Sequence, residues 1–371
     1  VRGCSVLSGS VSVPAGMPAG SICVGGITGL CEGTVDRCSN AAVLRGVYPA
    51  YVGGLIGRAA EALEISGSKN AGSVDGKYMT GGLIGKSEKT VVLLDCSNAG
   101  AVDGSNDTGG LLGRAAGTVR LQRCSNGGNI LGNIDTCGGL VGSGDADVTA
   151  EQCRNTGEIG RKEGFDNSYS GGIIGWCRGT AAITDCSNSG TVRGRAYCGG
   201  IAGYLERMEV RGCRNDGDCA VEDNNINHKC GGIVGCGNGR ISACKNYGDV
   251  GRGYVRAGSI AADYTSGCRV ENCINYGNSK DFSSGTGSGN INYGQLTNAG
   301  RMVSVSINDG KGLDAVANIA ADSGVMLNGR TSVYCSDLRY PGKGRGYPLA
   351  QLQDSASTAY AAWSLPGEWI V

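Results

Sequence analysis

The sequence predicts an all-β chain folded as a parallel β-solenoid (β-helix) of about nine to ten coils, each about 28 residues long. An asparagine recurs at one position of a degenerate repeat, a Gly-Gly pair lies between successive asparagines, and 69 glycines accompany only 6 prolines without a Gly-X-Y period. Repeats of this length are typical of stacked architectures in which each repeat forms one layer. The repeated asparagines are Asn40, Asn70, Asn98, Asn126, Asn155, Asn188, Asn215, Asn246 and Asn275.

Each repeat contains three short apolar segments. The first begins at the Gly-Gly pair, as in Gly81–Gly85, the second alternates, as in Val119–Leu121, and the third follows the asparagine and holds residues such as Val102. Strands this short bury their faces only when coils stack at about 4.8 Å and bond along the stack. Three segments joined by three bends therefore predict a three-sided coil.

The asparagine column has a structural interpretation. Asparagine tolerates left-handed backbone at bends, and stacked side-chain amides hydrogen-bond to the copies above and below. A row of asparagines that binds a ligand is the alternative.

Eight of the nine asparagines have a cysteine two residues earlier, and Ser68 is the exception. A small apolar side chain at this period predicts inward packing. One cysteine per coil and a single histidine, His228, do not make a zinc-type ligand set, so we expect no metal and no cofactor. The column comprises Cys38, Cys96, Cys124, Cys153, Cys186, Cys213, Cys244 and Cys273.

Nineteen cysteines favour an oxidising compartment, although an exported protein of an anaerobe can keep its thiols reduced. Cys198 and Cys230 both precede a Gly-Gly pair in adjacent coils. Neighbouring strands place such Cα atoms about 5 Å apart, which lies within disulfide reach. The sequence therefore predicts a Cys198–Cys230 disulfide.

Tyrosines gather where the chain enters the Gly-Gly pair, and they predict an aromatic edge along the stack. Exposed tyrosine offers a large contact area for a glycan or a protein at low entropic cost. The alternative is a set of loop side chains that cover backbone. The possible binding edge comprises Tyr51, Tyr78, Tyr169, Tyr197 and Tyr254.

The repeat divides the chain into three parts. Residues 1–24 are expected to form a starting strand or cap, and residues 25–307 the solenoid repeats. Residues 308–371 are expected to form a small α+β cap or docking module, with helical spacing over 313–321 and 349–360.

The paired Gly81–Gly85 and Cys96–Gly100 segments resemble the GLUG-motif repeats of bacterial surface proteins. The resemblance covers about residues 25–300, and the closing 362–370 segment is similar to the tail that often follows such arrays. It implies a relation to adhesin-like proteins and to repeats beside some immunoglobulin A1 proteases. No HExxH motif is present, so the resemblance does not extend to that protease chemistry.

Charge and hydropathy limit the partners. Lys+Arg and Asp+Glu number 33 each, so neither nucleic acid nor an anionic membrane is expected to bind, and no apolar run reaches the roughly 20 residues of a membrane span. The first residue is Val1 rather than Met, which we interpret as a mature product whose signal peptide was removed.

The sequence thus favours a non-enzymatic structural or adhesive protein, extracellular or at the cell surface. It would act as a stalk or as a filament subunit that assembles through the solenoid ends. One alternative is a polysaccharide lyase or glycosidase with turn carboxylates such as Asp135, Asp145 and Asp147. The other is a glycan- or Ca²⁺-binding module with the acidic turns 216–218 and 222–224.

Overall fold

A computed structural model describes residues 1–13, 22–46, 50–161, 168–221, 228–251, 256–262, 267–283, 286–288 and 290–292, together with short strands beyond residue 304. These residues form strands, turns and bends, and the described part of the chain contains no helix. Its strands stack in parallel as a β-solenoid of about eight turns, each of which we call a coil. The predicted all-β solenoid is confirmed.

The asparagine sheet is the narrowest wall, because most of its strands contain only two residues, the second of which is the repeated asparagine. The strands pair in register, so each asparagine is the partner of the next, as Asn98 is of Asn126. Its strands are Ser5–Val6, Ser39–Asn40, Lys69–Asn70, Ser97–Asn98, Ser125–Asn126, Arg154–Asn155, Ser187–Asn188, Arg214–Asn215, Lys245–Asn246, Ile274–Asn275, Asn290–Asn292 and Val305–Asn308.

The valine sheet forms the second wall, a few residues after each asparagine. Most of its strands point one apolar side chain inward, as the nearly unexposed Val102 and Ile130 show. Its strands are Ser10–Ser12, Val43–Arg45, Val74–Asp75, Val102–Asp103, Ile130–Gly132, Ile159–Arg161, Val192–Gly194 and Cys219–Val221.

The long sheet is the third wall, and it contains the strands that lie before and after each Gly-Gly pair, up to the left-handed bend residue that precedes the asparagine sheet. In some coils the two segments after the pair merge into one strand. Its strands are Cys23–Gly25, Thr28–Asp36, Tyr51–Gly53, Ile56–Ser66, Thr80–Gly81, Ile84–Ser87, Val91–Leu94, Asp107–Gly109, Leu112–Ala115, Val119–Gln122, Thr136–Gly138, Val141–Gly144, Val148–Glu151, Tyr169–Gly171, Ile174–Thr184, Tyr197–Gly199, Ala202–Arg211, Lys229–Gly231, Val234–Ser242, Arg256–Ala261, Cys268–Glu271, Asp281–Ser283 and Thr286–Ser288.

The left-handed residue of each coil is not the asparagine, so the backbone role predicted for asparagine is wrong. The positive φ falls three residues earlier, where the chain leaves the long sheet for the asparagine sheet. The asparagines themselves lie in strands and point inward. The left-handed residues at this position are Arg37, Gly67, Asp95, Arg123, Gln152, Asp185, Gly212, Ala243 and Asn272.

The Gly-Gly pair and the asparagine recur together because they touch. A Cβ on Gly110 would overlap the carbonyl oxygen of Gly139 in the next coil and would lie 2.6 Å from Cγ of Asn126. The same contacts are found at Gly82 and Gly172. The asparagine side chain therefore occupies the space that a side chain at the second glycine would need.

Inward side chains form two hydrophobic columns along the stack. The larger column joins the long sheet to the asparagine sheet, with Leu83, Ile84, Leu93 and Cys96 in one coil. The smaller column lies behind the valine sheet and includes Val102. Each coil buries only a few side chains, at about 1.5–3 kcal/mol for each large one, so stability accumulates through stacking.

Residues 5–12 already pair with the 39–45 coil, so the stack starts inside the segment expected to form a starting strand or cap. Beyond residue 308 the described strands are Met326–Leu327, antiparallel to Arg330–Thr331, and Val333–Cys335, parallel to Arg345–Tyr347. The predicted helices over 313–321 and 349–360 lie outside the described residues.

Candidate binding face

The nine asparagines form a continuous internal ladder. Each of the first eight amide nitrogens donates to the amide oxygen of the next copy, as Asn98 does to Asn126 at 2.8 Å, and all nine donate to a carbonyl two residues ahead, as Asn98 does to Gly100 at 2.7 Å. The side chains are at most 2 % exposed. An incoming ligand therefore meets none of these amides, and the ladder is a structural element of the coil.

The cysteine column runs beside the ladder. Its thiols are at most 1 % exposed and donate to nearby carbonyls, as Cys124 does to Gln122 at 3.3 Å. Ser68 makes the equivalent bond to Ser66 at 2.9 Å and accepts the N–H of Cys38 at 3.0 Å. Burial raises the pKa of the Cys244 thiol well above its ordinary value, so this thiol stays neutral.

The disulfide predicted between Cys198 and Cys230 is not formed, and both residues are buried thiols. They are register partners in adjacent coils, as predicted, and the Cys198 thiol donates to the carbonyl of Val192 at 3.4 Å. In-register parallel side chains point the same way and keep the strand spacing of about 4.8 Å, whereas disulfides bring Cβ atoms to about 3.8 Å. The sequence prediction considered the Cα spacing alone.

The predicted tyrosine edge is two patches rather than one stripe. Tyr51 and Tyr78 stack at 5.8 Å, and the Lys86 ammonium lies 5.1 Å from the Tyr51 ring centre. Tyr169 and Tyr197 stack at 5.2 Å in a separate place. The strand position of Tyr169 is held by threonine and aspartate in the two preceding coils, which interrupts the edge. Tyr254 lies outside the described residues.

Two further rings join the second patch, and the sequence prediction missed both. Trp176 and Tyr204 are register partners on the strand after the Gly-Gly pair, and Tyr204 packs edge-on against Tyr169 at 5.7 Å and Tyr197 at 5.6 Å. Trp176 lies 6.4 Å from Tyr169. All four rings are partly exposed. We call Tyr169, Trp176, Tyr197 and Tyr204 the aromatic cluster.

A signal for these two rings was available. In the described coils, the outward position two residues after the first apolar residue of this strand carries Arg58, Lys86 and Arg114 early in the stack, and rings only at Trp176 and Tyr204. Burial raises the pKa of the Tyr204 hydroxyl, and the neighbouring Cys236 and Glu206 add to the shift, so the ring stays neutral.

A groove of about 510 Å³ opens on the same wall, next to the cluster. We call it the charged groove, and the residues that define it are Asp145, Asp147, Arg178, Glu206 and Arg207. The strand pairing is irregular here, because the register shifts between Cys177 and Thr180. Such bulges re-aim side chains and are common beside functional sites.

Some of the groove's charges have protein partners. Asp145 accepts from Arg114 at 3.0 Å, and Asp147 accepts the backbone N–H of Thr180 at 2.8 Å. Burial opposes the charge of Arg114, but Asp107 and Asp145 outweigh it and raise the pKa of the guanidinium. In the described structure, the side chains of Arg178 and Glu206 have neither a hydrogen bond nor an ion pair to protein.

The remaining candidate carboxylates are spread over the molecule. Burial, together with Asp107, raises the pKa of Asp135. Asp216 is paired with Arg214, Asp218 accepts the N–H of Asp249 at 2.9 Å, and the 222–224 turn lies outside the described residues. Among the residues that the structure describes, no three His, Cys, Asp or Glu side chains are grouped so as to hold a metal ion.

Comparison with known proteins adds no assignment, since no protein-family model, curated protein or solved structure matches the chain. Across the described ranges there is also no helix with the length and apolar character of a membrane span.

Proposed function

We propose that the chain is a non-enzymatic structural or adhesive protein, extracellular or at the cell surface, which holds a binding face on a stiff β-solenoid. The observation that carries this proposal is the aromatic cluster. It gathers four partly exposed rings on one wall, at strand positions that hold polar or charged side chains in the preceding coils. The charged groove extends this face.

The physical argument for a binding face contrasts the inward side chains with the outward aromatic ones. The inward columns repeat with little change and are explained by stacking alone. Tyrosine and tryptophan at a solvent-facing position are typical of contact surfaces, because they supply large apolar area and a polar group together. Eight coils at about 4.8 Å give a rod of about 38 Å on which such a face is held rigidly.

The likeness to GLUG-type repeats of surface proteins supports the same function. Self-association through the solenoid ends remains our proposal for assembly, since unpaired strand edges pair with other chains. Electron microscopy and analytical ultracentrifugation of the purified protein test it. Fibres with a one-chain repeat support stacking, and a monomer at every concentration contradicts it.

Adhesion is tested by adding the fluorescently labelled protein to intact bacterial cells and to cultured animal cells. We expect it to be retained, and a Trp176→Ala/Tyr204→Ala variant to lose at least about tenfold of the apparent affinity, as is usual for central aromatic contacts. Leu131→Ala, an exposed apolar truncation on the valine sheet, is the matched control. Equal retention of the folded double variant would contradict the proposed face.

A carbohydrate-active enzyme is the second candidate, and one observation favours it. Asp145 and Glu206 line the groove two coils apart, on either side of Arg178, which places their Cα atoms about 10 Å apart. The carboxyl groups of inverting glycosidases are separated by roughly 6.5–9.5 Å, which is close to this backbone separation. Release of new reducing ends from polysaccharide, lost in Glu206→Gln, would establish this activity.

A further inference from the structure

We infer that the aromatic cluster and the charged groove form one binding surface for a neutral saccharide chain. This inference rests on the proposed function, because it names the chemical class of the partner that binds to this face.

The two parts are contiguous because of strand alternation. Side chains two residues apart on a strand point to the same side, so Trp176 and Arg178 share the outer face, as do Tyr204 and Glu206. These two strands are register partners in adjacent coils. Rings and charges therefore lie in two neighbouring rows that run along the stack, about 7 Å apart along the strands.

The rings differ in what they offer. Tyr169 and Tyr197 lie nearly parallel, with 11° between their planes, so each covers a face of the other. Tyr204 crosses this pair at 65° and 75°, and Trp176 is tilted by 38° to Tyr169. The ring faces of Trp176 and Tyr204 are thus the ones placed to cover the apolar C–H face of a sugar.

The groove supplies the complementary hydrogen bonds. Sugar hydroxyls donate and accept, and the groove offers carboxylate acceptors and guanidinium donors side by side. The side chains of Glu206 and Arg178 have no protein hydrogen bond or ion pair in the described structure. Arg207 has one contact, at 3.4 Å to the Thr180 hydroxyl. A polyhydroxylated ligand can therefore bind Glu206 and Arg178 without breaking an existing ion pair of either residue.

The charge balance points to a neutral chain. Among the described residues, the groove is lined by the carboxylates at 145, 147 and 206 and the arginines at 178 and 207, and Arg114 beside it is paired with Asp107 and Asp145, so the face has no excess positive charge to attract a polyanion. Nucleic acids need a basic face. The hot spots of protein partners are desolvated clusters in which unpaired charges are costly, and this groove is lined mainly by charged side chains.

The surface is also pre-formed. A Cβ on Gly179 would overlap the backbone of Ala146, so adjacent coils are in direct contact at the floor of the groove. The groove spans the coils from Thr118 to Arg207, three steps along the stack or about 14 Å. A volume of about 510 Å³ lies within the usual range for ligand sites and suits a short oligosaccharide.

Affinity electrophoresis of the intact protein in gels containing soluble polysaccharide tests the inference. The neutral probes are β-glucan, mannan and xylan, and the anionic probes are polygalacturonate and heparin. We expect retardation by at least one neutral probe, equally at low and high salt, and a loss of about tenfold or more in affinity in Trp176→Ala, Arg178→Ala and Glu206→Gln. Arg120→Ala, an exposed arginine of the same sheet, should behave as wild type.

Each other result overturns the inference. Retardation by anionic probes alone, abolished by salt, would show a polyanion site. No retardation by any probe, with adhesion to cells retained, would leave the proposed function standing with a non-saccharide partner. Loss of both would refute the proposed function as well. Retardation by a neutral probe that the three variants share with wild type would place the saccharide site elsewhere.

Discussion

Replacing one rung of the asparagine ladder, Asn126→Ala, tests the structural basis of the stack. The Asn126 amide donates to the Gly128 carbonyl at 2.7 Å and to Asn155 at 2.8 Å, and it accepts from Asn98 at 2.8 Å. The site is 1 % exposed, so water does not replace these partners. Alanine removes all three hydrogen bonds at once.

The cost follows from the groups left behind. The N–H of Asn98, the amide oxygen of Asn155 and the Gly128 carbonyl each lose a partner, and an unsatisfied buried group costs about 1–3 kcal/mol. Allowing for relaxation, we expect a loss of about 3–6 kcal/mol, a large share of the roughly 5–15 kcal/mol that folded domains have. The effect should be centred on the coils that carry residues 98, 126 and 155.

The assay combines denaturant unfolding with hydrogen exchange, because a solenoid can open one coil at a time. Asn129→Ala is the matched control, since Asn129 lies in the same coil, is exposed and only accepts the N–H of Glu158 at 3.0 Å. It should cost at most about 1 kcal/mol. If the two variants unfold within about 0.5 kcal/mol of each other, the ladder is not what holds the coils together.

Three further predictions concern the glycines and thiols. Gly110→Ala should prevent regular stacking and lower the melting temperature, because the added Cβ would meet backbone. Gly127→Ala should keep the wild-type melting temperature, because its added Cβ would lie 3.6 Å from the nearest neighbouring atom. Equal melting temperatures of the two variants would contradict this. Burial raises the pKa of the Cys177 thiol from 9.0 to about 12. The contribution of this thiol to stability is therefore complete below pH 9 and is lost as the pH rises towards 12, about 4 kcal/mol in all. Cys177→Ala should flatten the alkaline fall in unfolding free energy, and an unchanged fall would refute the assignment. Alkylation in denaturant without reductant should label both Cys198 and Cys230, and a mass that shows them linked would contradict the thiol pair.

Sequence reasoning reached the inner columns because every coil repeats their environment. An asparagine beside a Gly-Gly pair is visible at any copy, and so is the apolar spacing of the three walls. The left-handed bend residue was missed because Arg37, Gln152 and Ala243 share no side-chain chemistry, so no residue type signals it. The Cys198–Cys230 disulfide was predicted wrongly because register, but not side-chain direction, was considered.

The binding face was harder to predict, since it is built from what does not repeat. Trp176 and Tyr204 are residue types that each appear once in their column. The charged groove lies at a register shift, and no sequence motif predicts that shift. The tyrosines were recognised individually, but their division into patches required knowing which coil partners which. Side chains that vary between coils become interpretable only when the stack aligns them.

The column that contains Trp176 and Tyr204 shows why stacking alone does not explain their rings. In three earlier coils the same column carries charged side chains satisfied by neighbouring carboxylates, as Lys86 is by Glu88 at 2.8 Å and Arg114 by Asp145 at 3.0 Å. Such surface pairs contribute little, about 0–1 kcal/mol, yet these coils stack with the same in-register pairing. The solenoid therefore has no structural need for aromatic rings at this position. Their presence in two adjacent coils, next to an arginine and a glutamate whose side chains have no protein hydrogen bond in the described structure, is the reason why we propose that a molecule binds there.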